Sequence, residues 1–136
     1  MAAAELTNLQ AQRCIAAQYD FAIHGGAAGT ISLRQKLPSG AIVVNSLIEV
    51  LTVPTSGGSA TIAVTVQSAG DVVAATAIGS APWSTTGRKV GVPDFATASD
   101  SFKCTADRDI TAVVATADLT AGKFNVFLWY VLNTAA

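Results

Sequence analysis

The sequence predicts an all-β chain, folded as a two-sheet antiparallel sandwich of jelly-roll type with about eight strands. Three observations carry this. Short segments alternate apolar and polar side chains with a period of two, clusters of Gly, Pro, Ser and Asp interrupt them at frequent intervals, and no long segment shows a helical period. An immunoglobulin-like sandwich is the main alternative, but it usually shows Cys…Trp…Cys at a characteristic spacing. Cys14 and Cys104 lie outside such a frame, which favours the jelly roll.

Residues 1–13 read as an N-terminal arm, Ala-rich at first and polar at its end, and residues 14–136 as a single β-sandwich domain. Alternation begins at Cys14, with Ala17, Tyr19, Phe21 and Ile23 on one face and Gln18, Asp20, Ala22 and His24 on the other. The HGGAAG stretch then breaks the run. Ile31, Leu33 and Leu37 form the next inward row, with Ser32, Arg34 and Lys36 outward, before a turn at Pro38, Ser39 and Gly40.

The chain is organised around residues 42–66. Two apolar, β-branched runs flank Pro54, Thr55, Ser56, Gly57 and Gly58, which predicts a β-hairpin with a five-residue loop. In the first arm Ile42, Val44, Ile48 and Val50 share one face, and Val43, Leu47 and Leu51 the other, so this strand needs cover on both sides. In the second arm Ala60, Ile62, Val64 and Val66 face inward. The SAGD turn leads to 72–78, where Ala favours helix while Val, Thr and Ile favour strand. Residues 79–100 form an excursion rich in Gly, Pro, Ser and Thr. Within it, 88–92 is an edge strand bracketed by Pro82 and Pro93, and Trp83 and Phe95 are isolated aromatics. A short strand at 101–105 precedes the ADRD turn and a strand with Ile110, Ala112 and Val114 inward. The last strand alternates Phe124, Val126, Leu128, Tyr130 and Leu132 with Lys123, Asn125, Phe127, Trp129 and Val131. From Phe127 both faces are apolar, so this strand is central or lies in an interface.

Composition narrows the function. Charged residues make up 12% of the chain, about half the usual ~25%. A surface so poor in charge points to a permanent partner or a homo-oligomer rather than to a lone monomer with a Thr/Ser-rich exterior. The net charge of −1, with cations scattered singly or in pairs, excludes a phosphate-neutralising stripe and thus a nucleic-acid partner. No window approaches a membrane span, and the first residues lack a signal peptide's basic and apolar regions. Cys14 and Cys104 lack CxxC spacing and read as two free, buried thiols in a reducing cytoplasm, although a disulfide between them is possible.

Chemistry is absent where an enzyme would need it. His24 is the only histidine and cannot build a zinc site alone. No GxSxG elbow is present. Asp100, Asp107 and Asp109 lack a calcium loop's ligand density, and neither GGAAG nor SGG leads into a phosphate-binding helix. The chain is therefore read as a non-enzyme with no cofactor and no metal. Interface candidates take the place of a catalytic site. Trp83, Phe127, Trp129 and Tyr130 could form a carbohydrate platform, with the Trp83 loop as its site, but Trp129 and Tyr130 point to opposite faces of one strand, so core or interface packing is the preferred reading. Glu49 stands in an otherwise apolar strand, where it must face solvent or pair with a cation across an interface. Arg13 ends the arm.

Three segments, YDFAIHGGAAGTISL, LPSGAIVVNSLIEVLTVPTSGGSATIAV and LTAGKFNVFLWYV, resemble small head proteins of tailed bacteriophages, the cement or decoration proteins. The likeness runs over about 17–132, except for 83–105, and carries no functional residues to transfer. It implies a jelly-roll-type domain made in the bacterial host cytoplasm and bound to the capsid exterior. The partners it implies are the major capsid protein and the chain itself, as a homodimer in preference to a trimer, bridging capsomers. A carbohydrate- or receptor-binding module and a tail or fibre subunit are the other readings.

Overall fold

The computed structural model describes residues 12–132. Its strands are β1 (Arg13–Asp20), β2 (Gly29–Leu37), β3 (Ala41–Ser56), β4 (Thr61–Thr65), β5 (Val73–Ala77), β6 (Gly87–Asp94), β7 (Phe102–Lys103), β8 (Arg108–Ala115) and β9 (Leu119–Leu132). One helical turn, α1 (Phe21–His24), follows β1. Five strands form a sheet ordered β1-β9-β3-β6, with β7 also on β3, and four form a second sheet ordered β2-β8-β4-β5. All pairings are antiparallel. The nested pairs β4 with β5, β3 with β6, β2 with β8 and β1 with β9 are those of one long hairpin. It is rolled so that β9 also meets β3 and β8 meets β4, the jelly-roll arrangement.

This path corrects the expected hairpin at 42–66. β3 and β4 lie in different sheets, so residues 57–60 cross the sandwich, and the hairpin is β4 to β5 around the SAGD turn. Asp71 holds that turn, its carboxylate accepting the backbone N–H groups of Val66, Gln67 and Ser68 at 2.9, 2.7 and 2.8 Å. Pro54 sits inside β3, where the register with β9 slips between Thr52 and Thr55, so the missing donor leaves no broken ladder bond.

The inward rows of β2, β4, β8 and β9 match the alternation: Leu33 and Leu37, Ile62 and Val64, Ile110 and Ala112, and Phe124, Val126 and Leu128 are all buried. β3 departs from it. Val43 pairs with Tyr130 but Asn45 with Trp129, so Val44 is a bulge residue and the facing parity inverts there. Ala41 and Val43 are buried before the bulge, and Ser46, Ile48 and Val50 after it, so Ile42 and Val44 do not share the core face of Ile48. Residues 73–77, open between helix and strand in the sequence, are strand. One further expectation shifts: β1 ends at Asp20, whose carboxylate caps α1 by accepting from Ala22 N–H at 3.0 Å. Ile23 is consequently exposed and not in the row of Tyr19.

Trp83 lies in the middle of the core. It is 0% exposed, its ring lies 4.7 Å from that of Phe124, and its Nε1–H donates to the carbonyl of Ile62 at 3.2 Å. Tyr19 stacks on the other side of Phe124 at 5.2 Å and donates its hydroxyl to the Gly25 carbonyl at 2.7 Å. Burial, with the neighbouring Asp20 charge adding to it, pushes the Tyr19 phenol up to about 12. Gly26 accepts the N–H of Leu119 at 2.7 Å in a contact so close that a Cβ there would collide with the Leu119 carbonyl.

Candidate interaction surface

The outward face of the five-stranded sheet is built by the same alternation that fills the core. β-Registers place its side chains in cross-strand rows. One row is polar: Gln18, Asn125, Glu49 and Arg88 stand opposite one another on β1, β9, β3 and β6. Gln18 donates to Asn125 at 2.8 Å, and Asn125 donates to Glu49 at 3.0 Å. The solitary carboxylate of the central strand is thus held by an amide, beside a guanidinium position on the next strand. The adjacent row is apolar: Ala16, Phe127, Leu47 and Val90. A third row runs Cys14, Trp129, Asn45 and Asp94. Phe127 and Trp129, two residues apart on β9, bring their rings to 6.5 Å.

The apolar row spans all four strands and ends at Val90, which is 61% exposed. Beyond it, Val92 and Phe95 continue the exposed apolar rim along β6 and the loop that follows. Phe95 is 68% exposed on a backbone with φ 68°. A left-handed conformation is unfavourable for a bulky L-residue, so the surrounding loop must impose it. Asp94 contributes, its carboxylate accepting the N–H groups of Ala96 and Thr97. The result is an aromatic side chain projected into solvent.

The expected candidates fall as follows. Phe127, Trp129 and Glu49 share this outward face, with Glu49 in the polar row. Arg13 is exposed at the start of β1, opposite Tyr130, so β1 takes in the last residue of the predicted arm; residues 1–11 of that arm lie outside the described residues. Trp83 corrects the sequence reading. A fully enclosed indole can stack on neither a glycan nor a partner, and its loop position in sequence hid the fact that the loop folds over the core. Ala16, Leu47 and Val90 were missed as members of one stripe, since only strand pairing aligns them.

Reactive groups stay apart. Among the described residues no cluster of three or more His, Cys, Asp and Glu side chains could hold a metal ion. His24 is used locally, its Nδ1 accepting the N–H of Asp20 at 3.1 Å. Both cysteines are free; Cys104 is buried as expected, but Cys14 is exposed, because its place on β1 turns it to the outward face. Burial pushes both thiols up; at Cys104 the Asp71 charge adds to the shift while Arg108 opposes it. No helix among the described residues is long and apolar enough to cross a membrane.

No protein-family model matches the chain, and no curated protein sequence does either. Solved structures do share its fold. A chain in the acidic stable capsid structure of Helicobacter pylori bacteriophage KHP30 superposes with a TM-score of 0.62 at 18% identity, covering 92% of this chain and 91% of that one. A chain in the capsid of Ralstonia phage GP4 gives 0.61 at 23% identity, over 90% and 86%. One in the capsid asymmetric unit of cyanophage Pam1 gives 0.61 at 19% identity, also over 90% and 86%.

Proposed function

We propose that this protein is a structural component of a phage virion, bound to the outer surface of the capsid and stabilising it by bridging major capsid protein subunits. The observation that carries the reading is the shared fold. Chains in three phage capsid structures share it over 90% or more of this chain and 86% or more of each of theirs. The surface supports it as well. Charge is sparse, and a continuous apolar stripe with the rim of Val92 and Phe95 offers area for protein contact. A ligand that binds the assembled lattice and not its free subunits stabilises the lattice by mass action, without any chemistry.

The test mixes purified protein with heads that lack it, pellets them and counts bound copies. Saturable binding at a fixed ratio to the major capsid protein, with heads that survive higher temperature, is the expected result. Absence from heads, with the protein found on tails, fibres or glycans, overturns it. Phe95→Gly refines the test, because glycine accepts the positive φ without strain. Its fold should be as stable as the parent or more so, by about 1 kcal/mol, while occupancy on heads falls.

A further inference from the structure

We propose that the edge of β1 without a strand partner among the described residues pairs with β1 of a second copy, antiparallel about a two-fold axis at Ala16, so that one sheet runs through two protomers. The inference goes beyond the capsid reading and does not depend on it.

Sheet edges offer unpaired N–H and C=O groups, and natural β proteins blunt them with bulges, prolines, charges or short strands. Three of the edges here are blunted. β6 carries Pro93 and a register slip against β3, and its Val92 N–H is already donated to the Val72 carbonyl at 2.7 Å. β2 slips between Ser32 and Lys36, with Arg34 at φ 64° inside the slip. β5 is five residues long. β1 has none of these devices. Its eight residues, RCIAAQYD, keep unbroken register with β9 from Arg13 to Asp20, with no proline, no glycine, no bulge and no charge between the two ends. Among the described residues its other edge has no strand partner. A groove of about 450 Å³ lies along it, between Ala16, Ala17 and Gln18 on one side and Ile23, Leu33 and Arg34 on the other.

Self-pairing also satisfies the side chains. In a continuous sheet directly opposed residues point to the same face, so the register must pair positions of equal parity. Centring on Ala16 places Cys14 opposite Gln18 of the second copy, and Ile15 opposite its Ala17. The stripe of Val90, Leu47, Phe127 and Ala16 then meets itself at the axis and crosses both protomers unbroken. Centring on Ala17 instead sets Gln18 against Ala16 and Asp20 against Cys14, which interrupts the stripe. A two-fold interface of this kind closes on itself and uses up the one unblunted edge.

The experiment uses the purified full chain without capsids. Gln18→Cys, with the native Cys14 kept, is oxidised mildly at about pH 8.5, where thiolate forms. Cys104 is buried and stays silent. The expected result is a covalent dimer that disappears in Cys14→Ser/Gln18→Cys. The parent should not cross-link, because the two Cys14 residues would be roughly 13 Å apart along the strands, beyond disulfide reach. Light scattering should give the parent twice the 13.8 kDa chain mass, and Ala16→Lys, which opposes two like charges at the axis, should weaken dimerisation at least about tenfold. A monomeric parent, a trimer without the cross-link, or an Asp20→Cys variant that cross-links in place of Gln18→Cys each overturns the proposal. A dimer that ignores heads would overturn the capsid reading alone.

Discussion

Replacing Trp83 by Ala tests the architecture at its centre. The indole is fully enclosed, packs on Phe124 at 4.7 Å and gives its N–H to the Ile62 carbonyl at 3.2 Å, so truncation removes both apolar contact and a hydrogen bond. Aromatic-to-alanine changes in cores cost about 3–5 kcal/mol. In a domain of this size each kcal/mol moves Tm by roughly 3–4 °C, so Trp83→Ala should lower it by about 10–20 °C. Trp83→Phe keeps a ring against Phe124 but loses the donor and part of the volume, and should cost about 1–3 kcal/mol. Thermal unfolding followed by circular dichroism, with urea titration to check that m is unchanged, reads both numbers. Fluorescence adds an independent check, since Trp129→Phe leaves Trp83 as the only indole, blue-shifted and shielded from iodide. A Tm for Trp83→Ala within about 2 °C of the parent, or free quenching of Trp83, refutes the placement and reopens a surface role for this residue.

Three other outcomes follow from the same structure. Gly26→Ala drives a methyl into the Leu119 backbone and should cost about 1–3 kcal/mol, seen as a lower urea midpoint. Asp71→Ala strips three backbone N–H groups of their acceptor and should cost about 2–3 kcal/mol, with amide exchange accelerated first at residues 66–68. Tyr19 supplies a pH signature. Its folded pKa of about 12 lies above the unfolded value near 10, so the native state holds its proton more tightly and stability falls as pH rises from about 10 towards 12. Tyr19→Phe should be less stable than the parent at pH 7, having lost the bond to Gly25, and the gap should narrow through that window in paired melting curves.

What was legible in the sequence is what a local period of two can encode. The inward rows of β2, β4, β8 and β9 follow from alternation, whereas the apolar faces of the last strand left it either central or in an interface, and strand pairing makes it central. β3 and β4 looked like a hairpin because proline and glycine mark a turn equally well whether the chain folds back in one sheet or crosses to the other. The bulge at Val44 and the slip around Pro54 exist only against β9, roughly 70 or more residues away in sequence. No local pattern specifies them. The stripe of Ala16, Phe127, Leu47 and Val90 is likewise a product of four strands aligned in register, and Trp83 is held in the core by packing on Phe124 and by the Ile62 carbonyl, which accepts its N–H hydrogen bond. Alternation decides which face a side chain takes on its own strand. Strand pairing decides which strand lies beside it, and so which side chains meet.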